Sequence, residues 1–248
     1  PDRVVAVVME KSWEQVVAVL AIVSAGAAYL PIDAELPAAR REFMLADAGA
    51  LLVVTQPHLA GLAGERAALV VTPEAHADRD DGPLALADAD DDALAAVLYT
   101  SGSTGQPNGV RLGHRGLVNG IEWTLRRFGV GADDRVIALS ALHHDFSVFD
   151  VFGTLAAGAT IVLPEAPHRR DPAHWAAAME REGVKIWSTV PAMMEMLLTW
   201  QAGRERPIAA PLRLALLGGD WVPVTMPARI RREFPEVEVV SIGGPTET

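Results

Sequence analysis

A run of small residues, TSGSTG at 100–105, is the segment of this sequence best suited to hold an anionic ligand. Four of its six residues carry hydroxyl groups, and backbone N–H groups in such a loop can converge with them on phosphate oxygens. Its two glycines let the backbone approach a ligand closely and adopt positive φ. The residues alone leave two interpretations open, a phosphate-binding loop and a flexible surface loop.

The spacing of this loop excludes three better-known motifs. No lysine follows the last glycine, as the G-x-x-x-x-G-K-[ST] phosphate loop requires. The glycines do not form the G-x-G-x-x-G dinucleotide pattern, and Ser101 and Ser103 do not lie in a G-x-S-x-G nucleophile elbow.

Two charged stretches are typical of solvated surface, and only the first is considered as a metal site. Residues 73–92 carry eight acidic side chains against one arginine, without the D-x-D-x-D-G spacing of a calcium loop. Residues 165–172 carry His168, Arg169 and Arg170, for which an exposed loop is again the default expectation.

Composition limits the class of protein. The 248 residues include 21 lysines and arginines against 32 acids, which gives a formal charge of −11, and only Lys11 and Lys185 are lysines. Half of the residues are hydrophobic, which excludes a disordered chain, and the acidic balance argues against a nucleic-acid surface. The absence of cysteine excludes disulfides and thiol nucleophiles and fits a cytoplasmic location.

Signals for export or membrane insertion are not expected. The first residues, PDRVVAVVME, lack the pattern of a signal peptide. The uncharged stretch 15–32 is alanine-rich, is interrupted by Ser24 and Gly26, and includes Pro31. We therefore expect a buried helix followed by a buried strand there, and no membrane span.

The elements that must position these residues alternate between strand and helix, which predicts an α/β fold of parallel βαβ units. Ligands of such sheets bind at the carboxyl ends of strands. Two subdomains are expected, 1–124 and 125–248, joined near 111–124. The predicted strands are 4–8, 28–32, 51–55, 94–99, 135–139, 160–163, 185–188, 214–217 and 237–242, and the predicted helices are 13–24, 38–48, 148–157, 174–182, 192–200 and 227–234.

The segment TSGSTGQPNG resembles the T-S-G-S-T-G-x-P-K-G signature of the adenylate-forming superfamily, which includes acyl-CoA synthetases, luciferases and the adenylation domains of nonribosomal peptide synthetases. Three more segments resemble core motifs of that last branch, in the right order: AGAAYLPID at 25–33, HHDFSVFDVFGTLAAGATIVL at 143–163, and GGPTET at 243–248. The chain is thereby identified as part of the N-terminal core of such a domain, without its small C-terminal domain, and most similar to those of heterocyclising modules.

The resemblance implies an ATP- and Mg²⁺-dependent ligase. It would activate an amino acid as its aminoacyl adenylate, release pyrophosphate, and pass the acyl group to the phosphopantetheine thiol of a carrier protein among neighbouring synthetase domains. Thr246 would meet the α-phosphate, and Glu247 would ligate magnesium. The β- and γ-phosphates would be held by Thr100, Ser101, Ser103, Thr104 and Gly105, and adenine by Gly218, Gly219, Ile242 and Gly243.

The same resemblance implies an amino-acid pocket. Asp145 would pair with the α-ammonium of the substrate, and His144 would stand at the pocket edge. The side-chain cavity would be lined by Phe146, Phe149, Ser188, Leu216, Gly218 and Ile242. The similarity to heterocyclising modules favours a small polar substrate, either cysteine or a relative of serine and threonine.

Two departures from the family pattern lower the activity expected of this chain. Asn108 stands where the signature has lysine, and an amide cannot neutralise phosphate charge as an ammonium does. No segment matches the ribose-binding aspartate, the hinge or the C-terminal catalytic lysine, so the chain alone should be poorly active. A degenerate, non-catalytic binding module is therefore one alternative. An acyl-CoA or aryl-acid ligase is another, although Asp145 would then lack an ammonium partner.

Overall fold

The computed structural model describes residues 3–72, 82, 86–87, 90–100, 106–244 and 246. They form two compact units, which divide between Asn119 and Gly120. This division falls within the helix α3 (His114–Phe128), and the boundary predicted after Thr124 lies in the same helix. The acidic stretch 73–92 lies mostly outside the described residues.

A six-stranded sheet forms the framework of the first unit. Its strands are β1 (Val4–Val8), β2 (Ala28–Ile32), β3 (Leu52–Thr55), β4 (Ala67–Val70), β5 (Leu94–Thr100) and β6 (Asn108–Gly113). The strand order is β4-β3-β1-β2-β5-β6. The predicted strands β1, β2, β3 and β5 run parallel, as expected, and so does β4, which was not predicted, whereas β6 runs antiparallel to β5. The reason is length, since residues 101–107 are too few for the crossover that a parallel pair requires.

Two helices, α1 (Trp13–Ser24) and α2 (Ala38–Asp47), and a 3₁₀ turn, Pro57–Ala63, complete the described part of this unit. The chain turns after α1 at Gly26, whose φ is +73°, and a Cβ at Gly26 would lie 2.8 Å from Ala87 Cβ. The stretch 15–32 is therefore a helix and a buried strand, as predicted. Among the described residues, no helix is long and apolar enough to cross a membrane.

The second unit is built on a parallel five-stranded sheet of order β11-β10-β9-β7-β8. Its strands are β7 (Arg135–Ile137), β8 (Thr160–Val162), β9 (Ile186–Thr189), β10 (Leu214–Gly218) and β11 (Glu238–Ile242). Its helices are α4 (Phe146–Val148), α5 (Thr154–Ala156), α6 (Pro172–Glu182), α7 (Pro191–Gln201) and α8 (Met226–Glu233), with a π turn, Phe149–Gly153, between α4 and α5.

The two faces of this sheet have different partners, because successive strand residues point to opposite sides. On one face, Trp187 and Leu217 pack in a large core with residues of α6, α7 and α8. On the other, Leu214 and Leu216 pack with Phe149 of the π turn. The second face is the one that carries the predicted amino-acid pocket.

An ion pair joins two strands of this sheet at their amino ends. Arg213, just before β10, donates from Nε and Nη2 to the carboxylate of Asp134, just before β7, at 2.9 and 2.7 Å. The same guanidinium donates to the carbonyl oxygens of Phe128 and Gly129. Ligands of parallel sheets bind at the carboxyl ends of the strands, which is the other end of this sheet. The ion pair is therefore expected to stabilise the fold and not to bind a ligand.

Candidate active site

The predicted phosphate loop begins and ends in a strand pair of the first unit. Thr100 is the last residue of β5, and its register partner is Asn108, the first residue of β6. Asn108 therefore stands at the base of the loop and is exposed. The loop residues Ser101, Ser103, Thr104 and Gly105, and the predicted magnesium ligand Glu247, lie outside the described residues.

The strand end that leads into this loop is fixed by Tyr99. Tyr99 is the register partner of Gly109 on the neighbouring strand β6, and a Cβ at residue 109 would lie 3.2 Å from Tyr99 Cζ. Its hydroxyl donates to Asp47 Oδ2 of α2 at 2.6 Å. Burial, together with the hydrogen bond and charge of Asp47, raises the pKa of Tyr99 far above its ordinary value. The hydroxyl therefore stays a neutral donor, and a glycine at 109 leaves room for the ring.

Asp145 precedes α4 in the second unit and makes two hydrogen bonds. Its Oδ1 accepts from the backbone N–H of Phe146 at 2.8 Å, and its Oδ2 accepts from Thr246 Oγ1 at 3.0 Å. The structure thus brings together two residues that are 101 positions apart and were predicted to meet different groups, the α-ammonium and the α-phosphate. The carboxylate of Asp145 is half-buried, and each of its two oxygens accepts one of these hydrogen bonds.

The predicted pocket residues of β9, β10 and β11 share one face of the sheet. Ser188 is the register partner of Leu216, and Gly218 that of Ile242. A Cβ at Gly218 would lie 2.8 Å from Phe146 Cζ and would also meet Ile242 O. The missing side chain at 218 therefore admits the Phe146 ring to this face.

Phe149 reaches the same face through the π turn. It packs in a cluster with Leu216 and Ile242, and a Cβ at Gly153 would lie only 2.7 Å from Phe149 Cδ2. A π turn inside a helix is uncommon and often marks a functional site. The structure therefore brings all six predicted cavity residues to one side of the sheet.

The hydroxyl of Ser188 is buried, and it is unusual in its hydrogen bonding. The residue is 1% exposed, and its Oγ has no partner among the described residues. Its carbonyl oxygen, in contrast, accepts from Ser140 Oγ at 3.1 Å. Because an unpaired buried hydroxyl costs roughly 1–3 kcal/mol, it marks a place suited to a polar ligand atom.

A pocket of about 430 Å³ opens where β10 and β11 end. Its volume is in the range typical of small-molecule sites. It includes three of the four residues predicted to hold adenine, Gly219, Ile242 and Gly243, while Gly218 lies just behind it as the last residue of β10. The other lining residues are Asp220, Trp221, Val222, Val224, Ser241 and Gly244.

Two residues at the site were missed by sequence reasoning. Trp221 is 79% exposed at the pocket, and its only signal was a large apolar residue in a turn. Asp150 is 1% exposed in the π turn, and its Oδ2 accepts from the backbone N–H of Ser140. An acid within an apolar helical run could have indicated it. His144, predicted at the pocket edge, is exposed and lies against His143.

Known proteins of similar sequence and structure agree with this architecture. The family of AMP-binding enzymes matches residues 1–248. Pyochelin synthetase PchF of Pseudomonas aeruginosa is 42% identical over 246 residues, which cover 99% of this chain and 13% of PchF. The chain thus spans a small part of this relative.

Two solved structures of the nonribosomal peptide synthetase FmoA3 (S1046A) superpose closely on the chain. The AMPPNP-bound form has a TM-score of 0.91 and 42% identity, covering 99% of this chain and 26% of FmoA3. The form bound to α-methyl-L-serine-AMP has a TM-score of 0.90 and 43% identity, covering 100% and 28%. These matches confirm the predicted α/β core and the resemblance to nonribosomal peptide synthetases. The chain belongs to the family of AMP-binding enzymes.

Proposed function

We propose that this chain is the substrate-binding core of an adenylation domain, which activates an amino acid with ATP for transfer to a carrier-protein phosphopantetheine thiol. The observation that carries the proposal is the position of Asp145. Its carboxylate precedes the helix whose Phe146 ring packs against Gly218, so an ammonium bound at Asp145 has the apolar face beside it for the substrate side chain. One of the FmoA3 structures that superpose on this chain is the form bound to α-methyl-L-serine-AMP.

The chemistry proposed for these residues is positioning and charge compensation. Carboxylate–ammonium pairing at Asp145 would orient the amino acid. Hydroxyl and N–H groups of 100–105 and of Thr246 would bind the phosphates and stabilise negative charge that develops at phosphorus. Glu247 offers the carboxylate oxygen that Mg²⁺ prefers, and the ion would supply further charge compensation when bound.

We propose a small polar amino acid, cysteine or a serine or threonine relative, as the substrate. Ser188 Oγ supports this choice because it is a buried donor and acceptor without a partner in the described part of the chain, and a hydroxyl or thiol of the substrate would satisfy it. Two aromatic rings, Phe146 and Phe149, occupy space on the same face and favour a short side chain.

Amino-acid-dependent ATP–pyrophosphate exchange by the full-length protein that contains this chain tests the proposal. Each proteinogenic amino acid is assayed separately. Exchange above background with cysteine, serine or threonine is expected. Exchange restricted to a large aromatic or basic amino acid would contradict the substrate class, and no exchange with any amino acid would contradict the enzyme.

Asn108 favours a second function, a binding module that has lost catalysis. It stands exposed at the base of the phosphate loop, where the family signature has lysine, and it can only offer hydrogen bonds there. If the native protein binds an aminoacyl adenylate without exchange and Asn108→Lys restores exchange, the binding module is correct. Exchange by the native protein would rule it out.

A further inference from the structure

Three metal-ligating side chains meet at the start of α6, away from the residues of the candidate active site. They are Glu165, His168 and His174, and one ligand atom from each lies within 4.8 Å of the others. The sequence predicts 165–172 as a solvated loop, the default expectation for a charged stretch of this kind. The fold brings the third ligand, His174, to this loop from the first turn of the helix.

The local backbone holds these groups in place. A 3₁₀ turn, Ala166–His168, follows Glu165 directly. Asp171 then caps α6 by accepting from the backbone N–H of Ala173 at 2.9 Å. The turn and the cap together bring His168 back over His174, and the two rings stack with centroids 4.8 Å apart and planes inclined by 14°.

The polar contacts of the two imidazoles suit metal binding. His168 Nδ1 lies 3.5 Å from Asp171 Oδ2, and a carboxylate beside one ring nitrogen leaves the other nitrogen available as a ligand. His174 Nε2 accepts from the backbone N–H of Glu165 at 3.4 Å, so its lone pair is directed toward the Glu165 segment. That hydrogen bond is long and weak, and a metal ion can replace it at little cost.

The distances are compatible with an ion after small side-chain movements. Ligand atoms about 2.0–2.1 Å from a tetrahedral metal lie about 3.4 Å from one another. The observed separations, up to 4.8 Å, therefore have to shrink by about 1.4 Å at most. Glu165 and His168 are exposed, so their side chains can rotate by this amount.

We propose that Glu165, His168 and His174 form a surface binding site for a divalent transition-metal ion, best matched by Zn²⁺. Two imidazoles and one carboxylate are a typical ligand set for this ion, with the fourth position left to water. A bound ion would link the 3₁₀ turn to the first turn of α6 and stabilise their contact.

Titration of the untagged, metal-free chain with Co²⁺ and Zn²⁺ tests this site. One equivalent of Co²⁺ should bind with a visible tetrahedral absorption band that Zn²⁺ abolishes. His168→Ala and His174→Ala should each weaken binding by about tenfold or more. His58→Ala is the matched control, because His58 lies 3.4 Å from Glu10 without a third ligand nearby among the described groups, and it should leave binding unchanged.

Two results would overturn the proposal. One is Co²⁺ or Zn²⁺ binding that persists unchanged in the His168→Ala, His174→Ala double variant. The other is the absence of stoichiometric binding to the native chain. If a histidine variant loses its native circular dichroism, Glu165→Gln decides, since it keeps the size of the side chain: about tenfold weaker binding supports the site, and unchanged binding contradicts it.

Discussion

At the scale of single residues, the hydrogen bond between Thr246 and Asp145 connects the two halves of the proposed reaction. Thr246 Oγ1 donates a hydrogen bond to Oδ2 of Asp145, the carboxylate that is proposed to bind the substrate ammonium. Loss of this hydroxyl would remove a donor to Asp145 and a proposed contact to the α-phosphate. We therefore expect the Asp145 side chain to be held less firmly and nucleotide binding to become weaker.

Thr246→Val should therefore reduce kcat/KM for exchange about tenfold to a hundredfold, as expected for a lost hydrogen bond to a charged group. Thr246→Ser, which keeps the hydroxyl, should retain most of the activity. Exchange kinetics at varied ATP and amino acid measure this. Thr225→Val is the matched control, since Thr225 is exposed and makes no side-chain cap bond. Equal activity of Thr246→Val and the native protein would refute the link.

Ser188→Ala should separate stability from function. Removal of an unpaired buried hydroxyl should leave the free energy of unfolding unchanged or raise it by about 1 kcal/mol. The KM for the polar amino acid should rise, because its side chain loses its proposed partner. Urea unfolding of the ligand-free protein and exchange kinetics test the two halves. Destabilisation by more than about 1 kcal/mol would show that the hydroxyl already has a structural partner.

Gly218→Ala should damage both the fold and the pocket. The new Cβ would collide with Phe146 and with the backbone carbonyl of Ile242, which cannot rotate away. Overpacking of this kind costs about 1–3 kcal/mol, so urea should unfold the variant at lower concentration. Gly203→Ala, where a Cβ would meet nothing within 4 Å, is the control and should unfold like the native protein. Equal midpoints for both variants would show that the pocket tolerates the methyl group.

At the scale of the elements, the pair of Asp134 and Arg213 ties the amino ends of β7 and β10 together. Burial of Asp134 opposes its ionisation, but hydrogen bonds from Arg213 and from the Gly131 N–H outweigh burial and lower its pKa. A carboxyl group whose pKa is lower in the folded protein adds stability above its unfolded pKa of about 3.9. This contribution is lost as the pH falls through the folded pKa.

Asp134→Asn should accordingly reduce the free energy of unfolding at pH 7 by about 1–3 kcal/mol, below the full value for a deeply buried pair because Arg213 is partly exposed. The difference from the native protein should shrink below about pH 4. Denaturant unfolding from pH 7 to pH 3 measures it. Glu122→Gln, which breaks the exposed Arg126 pair on α3, is the control and should cost no more than about 0.5 kcal/mol. A pH-independent difference would exclude the ion pair as the cause.

Periodicity and turn residues predicted most elements within a few residues, including α1 and β2, whose bounds match. The missed elements differ in their signals. Helix α3 contains Gly116 and Gly120, which lower its helix propensity, although Leu117, Ile121, Leu125 and Phe128 recur at helical spacing. Strand β4 is a short, mostly exposed edge, and β6 pairs antiparallel where the alternation suggested a parallel sheet.

Much of the site was predictable, but through resemblance more than through physics. The register of β9 against β10, which the sequence does not give, places Ser188 beside Leu216, whereas the roles proposed for Asp145 and Thr246 came from the motifs. Contacts that depend on tertiary packing, such as the Gly153 space that admits Phe149, leave no local pattern. The same holds for His168 and His174, which meet only because a turn and a helix cap bring them together.

At the scale of the whole molecule, the proposed function requires an acidic chain to bind an acidic nucleotide. A formal charge of −11 offers no general attraction for ATP, so the proposed binding would rely on local donors and on the proposed magnesium ion. Asn108 offers no positive charge where the family signature has lysine. The proposed adenylation would therefore depend on the groups that align the reactants.

The most direct test of amino-acid activation compares substrates with and without an amine. Exchange by the full-length protein is measured with serine and cysteine and with the amine-free acids 3-hydroxypropanoate and 3-mercaptopropanoate. The native protein should exchange with at least one of the amino acids and with neither acid. Asp145→Ala should lose exchange by about a hundredfold, as expected when a charged substrate group loses its partner, while the exposed-site control Asp133→Ala should keep it. Equal exchange with the amine-free acids, or full exchange by Asp145→Ala, would contradict the account.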